Sequence, residues 1–110
     1  MVHRLLVSYG QPEDPGAFDD HYRDTHTPLV MAVPGLVGFT FGRAEPIDPA
    51  LPSPYLVAEL DFASAEEMSR SFASTAGRAM AKDVRNFATG GITMAHFDVR
   101  EPSTGRPETA

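Results

Sequence analysis

One stretch, Phe18 to Phe39 (FDDHYRDTHTPLVMAVPGLVGF), limits what the chain can fold into more than any other. It starts as an amphipathic helix, stops at Pro34-Gly35 and runs straight into an apolar strand. Residues four apart share a helix face, so Phe18, Tyr22 and His26 form one stripe, which Val30 and Val33 carry onward. A stripe that is apolar at both ends and polar in the middle predicts a helix lying over a cavity. His21, Asp24 and Thr25 flank the stripe as candidate partners for His26. Pro28 has no backbone donor and disfavours helix at Thr27, which predicts a kink or restart at Thr27-Pro28, with freed carbonyls near His26. By spacing alone, a histidine such as His26 on an amphipathic helix is more often a solvated or core residue than an acid–base group.

The remaining pattern supplies the partners of that helix. Val2 to Tyr9 reads as strand one, with His3, Leu5, Val7 and Tyr9 on one face. Its other face, Val2, Arg4, Leu6 and Ser8, also holds large apolar groups, so both faces are expected to be covered. Asp14 followed by Pro15 is an N-cap with proline at the first helical position, and helix one is expected to run to about Val33. Leu36 to Arg43 is strand two, with Val37, Phe39 and Phe41 against Gly38, Thr40 and Gly42. Its two glycines suggest either close helix packing or room for a ligand beside the backbone. Ala44 to Pro54 carries Pro46, Pro49, Pro52 and Pro54 and reads as a stiff connection.

Tyr55 to Phe62 is strand three, with Leu56, Ala58, Leu60 and Phe62 inward and Glu59 on the other face. A carboxylate there suits a polar cavity or rim. Ser64 with Glu67 opens helix two as a capping box, and Met68 and Phe72 are its buried stripe. Gly77 marks a join to a second helical piece bearing Ala76, Met80, Val84 and Phe87. Gly90-Gly91 breaks the chain before strand four, Ile92 to Val99, where Ile92, Met94 and His96 share a face. The order strand, helix, strand, strand, helix, strand is that of a ferredoxin-like α+β sandwich, a four-stranded antiparallel sheet with helices on one face. Residues 1–100 form the domain, and 101–110 (EPSTGRPETA) a frayed tail without large apolar residues. The sheet face left bare, expected to carry Val37, Phe39 and Phe41, calls for a partner sheet, most economically in a homodimer.

Composition narrows the function. The 110 residues carry a net charge of −6 with no basic run, which argues against nucleic acid and anionic membranes as partners. No apolar run approaches the ~20 residues that span a bilayer. The opening residues Met1-Val2-His3-Arg4 lead directly into a strand-like run, so a cytoplasmic location is expected. With no cysteine there is neither disulfide nor thiolate chemistry. No phosphate-cradling glycine loop suggests a nucleotide, so no cofactor is expected. No metal site is expected either: His21 and His26 stand five apart and would not share an ordinary helical face.

The residues Phe18, Tyr22, His26, Pro28-Leu29 and Pro34-Gly35 resemble the signature of the EthD-like members of the dimeric α/β-barrel superfamily. Gly77, Asp83 and Asn86-Phe87 are similar to that family's second-helix ending. The resemblance covers about nine-tenths of the chain and fails in the proline-rich loop and the tail. It implies a homodimer whose two sheets close into a barrel, with a cavity between each sheet and its helices or at the barrel mouth. Similar barrels include muconolactone isomerases, cofactor-free quinone-forming monooxygenases and polyketide cyclases, and His26 aligns with a histidine implicated in catalysis among the isomerases.

Two kinds of function follow. The first is a nucleotide-free small-molecule enzyme, an oxidoreductase or an isomerase/cyclase, acting on a hydrophobic carbonyl or aromatic substrate. His26 would be its general acid or base, beside Tyr22, because an imidazole titrates near neutrality. Tyr9, Thr40, Glu59, His96 and His21 would bind or orient the substrate, with Glu59 or His96 as a second titrating group. The second is a non-catalytic ligand-binding partner of an oxygenase, in which His26 serves as a hydrogen bonder at the helix kink.

Overall fold

Strand β1 (His3–Tyr9) buries every second residue, His3, Leu5, Val7 and Tyr9, and leaves Arg4, Leu6 and Ser8 half-exposed. Strand β3 (Leu56–Phe62) repeats the alternation, burying Leu56, Ala58, Leu60 and Phe62. With β2 (Leu36–Arg43) and β4 (Ile92–Asp98) they make one antiparallel sheet in the order β2-β3-β1-β4. This is the ferredoxin-like arrangement, given by a computed structural model that describes residues 1–102. The expected fraying of the tail falls, beyond residue 102, outside the described residues.

The helices cover only the buried face, so the expectation that both faces of β1 are covered does not hold within one chain. Helix α1 (Pro15–His21) is capped by Asp14, whose carboxylate accepts from the Ala17 N–H. It continues as a π-turn (Tyr22–His26) and then as α2 (Thr27–Met31). The α-helix thus restarts at Thr27, where Pro28 led a restart to be expected, although the helical run itself is not interrupted. The ring and missing donor of Pro28 disturb the ladder one turn back, and the wider π-turn absorbs the disturbance, with the Thr27 N–H reaching the Tyr22 carbonyl. The helical run ends at Met31, two residues earlier than expected, and Gly35 (φ +79°) makes the turn into β2.

Strand β2 departs from simple alternation. Leu36 pairs with Phe62, Val37 is skipped, and Gly38 pairs with Asp61. This bulge lets Leu36, Phe39 and Phe41 all turn toward the helices, since one extra residue reverses the facing of everything after it. Two of the three apolar residues expected on the bare face are therefore on the helix side: the Phe41 ring, still half exposed, lies 5.0 Å from that of Tyr22, and Phe39 packs against the core, while Val37 stays exposed in the bulge. The open face carries Gly38, Thr40 and Gly42 beside Arg4, Glu59 and Asp61. Arg4 grips Asp61 there with two hydrogen bonds of 2.8 and 3.1 Å.

Helix α3 (Ala65–Ala73) starts at Ser64, whose hydroxyl accepts from the Glu67 N–H. Helix α4 (Thr75–Asp83) follows after a single intervening residue, Ser74, with Met80 in the core, and a short 3₁₀ turn (Val84–Asn86) leads to buried Phe87. At Gly77 an added Cβ would stand 2.0 Å from the Ser71 carbonyl oxygen and 2.8 Å from the Phe72 Cα. Both obstacles are backbone, so the two helices must part to admit it. Gly77→Ala is expected to cost about 2 kcal/mol or more. At Gly16, where the new methyl would meet only the Asp14 carboxylate at 3.5 Å, alanine should be neutral or stabilise by up to about 1 kcal/mol. Urea denaturation of the two variants checks the contrast, and an unchanged Gly77→Ala midpoint would contradict it.

Candidate active site

The π-turn has a consequence for side chains. An ordinary helix would point His21 and His26 in different directions, but a turn with i to i+5 spacing brings both to one carboxylate, that of Asp83. His26 Nδ1 lies 2.9 Å from Asp83 Oδ2, and His21 Nε2 lies 2.9 and 3.0 Å from the two carboxylate oxygens. Asn86, a third residue on this carboxylate, donates to Oδ1 at 3.0 Å. Phe87 closes the cluster, its ring centroid 4.6 Å from that of His26 and 5.3 Å from that of His21. Asp24 and Thr25, the other candidate partners, are exposed, and Asp24 pairs with Arg23.

Asp83 and His26 are only 5% and 3% exposed, so their charge states are decided inside the protein. Burial alone would favour a protonated Asp83. The hydrogen bonds from Asn86, His21 and His26 outweigh it and hold the carboxyl below its ordinary range. For His26 burial wins: despite the raising influence of Asp83, the imidazole is pushed below its ordinary value of 6.5. At neutral pH the pair is then a carboxylate accepting from a neutral imidazole. Nδ1 carries the proton, and Nε2 is left with a lone pair and no partner among the described residues.

His26 opens on a cavity of about 430 Å³ between the sheet and the helices. Its walls are mostly apolar, with Leu5, Val7 and Leu60 from the sheet and Val30, Met68 and Met80 from the helices. Polar groups are few. Tyr9 and Tyr22 line it with ring centroids 5.8 Å apart, and the Tyr22 ring is 5.3 Å from that of His26. Burial pushes both phenols well above their ordinary range, helped at Tyr9 by the charge of Asp83, so both are neutral donors. Neither hydroxyl has a protein partner among the described residues. His96 reaches the same cavity from β4.

Of the candidate residues, then, His26, Tyr22, Tyr9 and His96 come together around one space, and His21 stands behind His26, attached to the shared carboxylate. Thr40 and Glu59 do not join them. The bulge in β2 turns Thr40 to the open face, where it pairs in register with Glu59, and Glu59 Oε2 lies 3.5 Å from Arg4 Nε. The space that the glycines of β2 were expected to provide is on that face too. Asp83, the residue that orders the site, was legible only as part of a helix ending. Its one sequence signal is its position three residues after Met80, a carboxylate on a buried stripe. No group of three or more His, Cys, Asp or Glu side chains among the described residues is arranged to hold a metal ion.

A family model described as the EthD domain matches residues 10–91, which hold His21, Tyr22, His26, Asp83 and Asn86. The chain belongs to the EthD family. It is 42% identical over 97 residues to a Rhodococcus erythropolis protein described as an uncharacterized 11.0 kDa protein in the thcB-thcC intergenic region, covering 88% of this chain and 94% of that one. The crystal structure of an ethyl tert-butyl ether D (EthD) family protein from Bacillus halodurans superposes with a TM-score of 0.83 at 33% identity, covering 91% of this chain and 100% of that one. Two more distant structures share the fold alone. One is a dimeric ferredoxin-like protein of unknown function from Thermobifida fusca (TM-score 0.70, 12% identity, 90% and 92% covered). The other is SnoaB, a cofactor-independent oxygenase from Streptomyces nogalater (0.64, 16%, 94% and 96%).

The depressed proton affinity of His26 has a sign that can be checked. Its contribution to stability is complete above the unfolded value near 6.5 and is lost as pH falls through 6.5 toward the lower folded value, because the unfolded chain takes up the proton first. Urea midpoints measured from mildly alkaline to mildly acidic buffer should fall with pH. His26→Gln should flatten the slope in that window.

Proposed function

We propose that this EthD-family chain is a small-molecule enzyme in which His26 Nε2 acts as general base toward a hydrophobic carbonyl or phenolic substrate. The observation that carries the reading is a buried, neutral imidazole fixed by Asp83 through Nδ1, with its other nitrogen unpartnered in an apolar cavity. Asp83 selects the tautomer and favours the imidazolium formed when a proton is taken. Tyr9 and Tyr22, as neutral phenols, donate hydrogen bonds to the oxygen on which negative charge develops. Dry walls strengthen each of these interactions. The enolate or phenolate produced is electron-rich, and giving electrons to dioxygen would make the protein a nucleotide-free oxidoreductase. Return of the proton at another atom would make it an isomerase or cyclase. That the fold also serves a cofactor-independent oxygenase supports the first outcome, which is the reading preferred here.

Anthrone, a flat ketone with an acidic methylene, is a suitable probe. The wild-type protein should speed its exchange with deuterated solvent under nitrogen, and His26→Gln should slow that exchange by about 100-fold or more. Dioxygen uptake in air would support the oxidoreductase, and exchange without uptake the isomerase or cyclase. Binding of the probe with no exchange in the wild type would support the ligand-binding accessory protein and end the catalytic proposal.

The active form is proposed to be a homodimer joined through the open sheet face, where Leu6, Val57 and Phe97 lie among the polar groups. The dimeric ferredoxin-like relative supports this. Sedimentation should give about twice the 11.9 kDa chain mass. A stable monomer at micromolar concentration would rule the dimer out.

A further inference from the structure

A histidine on a core stripe must have both ring nitrogens satisfied, and His3, 5% exposed on β1, is such a residue. Its Nδ1 lies 2.7 Å from Asp98 Oδ1, and its Nε2 lies 2.9 Å from His96 Nδ1. The hydrogen bond from His3 holds the exposed Asp98 carboxyl below its ordinary range, and Arg100 contributes in the same direction. Asp98, His3 and His96 thus form a chain in which His96 Nε2 is the one ring nitrogen uncommitted among the described residues, and His96, itself exposed, lines the cavity. All three lie outside residues 10–91, the stretch that the family model matches.

As a proton relay, such a chain would have two states that differ by one proton. When His3 is neutral, its Nδ1–H is donated to Asp98, its Nε2 accepts from His96 Nδ1–H, and His96 Nε2 presents a lone pair to the cavity. When His96 Nε2 takes a proton, His96 passes its Nδ1 proton to His3, and the positive charge settles on His3 beside Asp98. The outward nitrogen thereby changes from acceptor to donor, while the charge stays next to a carboxylate.

The two histidine clusters also stand apart. Tyr9, in the aromatic cluster with Tyr22 and His26, pairs with Ile92, whereas His96 pairs with Leu5. Four residues of strand separate these rows, about 13 Å. We propose that His96, positioned by His3 and Asp98, is a second proton-transfer group at the other end of the cavity. The ligand it implies is a rigid conjugated molecule with an oxygen function at each end. This rests on the reading of His26 as general base. At the inner end His26 Nε2 takes the hydroxyl proton, and the O–H bond pair spreads through the ring system to the far carbonyl oxygen. That oxygen forms a bond to the proton on His96 Nε2; His96 Nδ1 is refilled from His3 Nε2, and His3 is left neutral beside Asp98. One proton enters at His26 and one leaves the relay, and nothing is oxidised.

Two probes test this on the full-length chain: 6-hydroxy-2-naphthaldehyde, with conjugated oxygens at both ends, and 2-naphthol, with one. The wild type should bind the aldehyde about tenfold tighter, the value of one hydrogen bond. His96→Gln should remove that preference and leave 2-naphthol affinity unchanged, and Asp98→Asn should reduce it. Equal affinities in the wild type, or a preference that survives His96→Gln, would overturn the proposal. A ligand-free measurement stands beside it. In alkaline buffer the ¹⁵N spectrum should show His96 protonated on Nδ1 and bare on Nε2, and Asp98→Asn should mix the two tautomers. A His96 protonated on Nε2, or one indifferent to Asp98→Asn, would reduce the chain to a cross-strand tie. Loss of bound phenolate in His26→Gln reports on His26 separately, so failure of the general base and failure of the relay give different results.

Discussion

A carboxylate without solvent is costly unless every lone pair is met, and Asp83 is met from both directions. His21 and His26 approach from the first helical run and Asn86 from the turn that ends α4. One of the three bonds that keep Asp83 ionised, that with His26, also fixes the His26 tautomer and leaves Nε2 without a protein partner at the cavity. The same carboxylate ties the end of α4 to the first helix, so the position of the base depends on how closely α4 lies against α3. That approach is set by the missing side chain at Gly77. The chemistry proposed for His26 is therefore tied to the packing of α4 against α3.

How far the residues alone disclosed this differs from element to element. Alternation in β1 and β3 is a strict period of two with one buried face, so their inward residues could be read directly. Asp14 and Ser64 announced two helix starts because capping is local chemistry. The placement of Thr40 was not legible, since a single skipped residue at Val37 reverses the facing of the rest of β2 and leaves no compositional trace. Glu59 lies on the face that the alternation of β3 indicated, and what could not be read was that this face is the open one, with Arg4 as neighbour, and not the cavity. The contact between His21 and Asp83 was hidden for a related reason. Spacing arguments assume 3.6 residues per turn, and the π-turn before Pro28 does not keep that count.

The sheet divides its two faces sharply. On the helix side, side chains converge on a space with few polar groups, each buried or tied to a buried partner, where small electrostatic differences carry weight. On the other side the polar groups are paired across strands, as in the Arg4–Asp61 contact, and are partly solvated. His3 belongs to the first environment although it lies at the start of the chain. Its burial with Leu5, Val7 and Tyr9 makes the opening strand a contributor to the cavity's chemistry as well as to its wall.

The turn from Tyr22 to His26 amounts to one amino acid more than an unbroken helix would need. The turn absorbs that extra residue, so the helix beyond it keeps its facing: His21 and His26, five apart, stand as two residues four apart stand on a regular helix. A residue added or removed in the regular turns on either side has nothing to absorb it, and everything beyond would swing by about 100° and slide by about 1.5 Å, taking Val30 and Val33 off the core. Within this helix the π-turn is therefore the place where the chain can change length and still deliver an imidazole to Asp83.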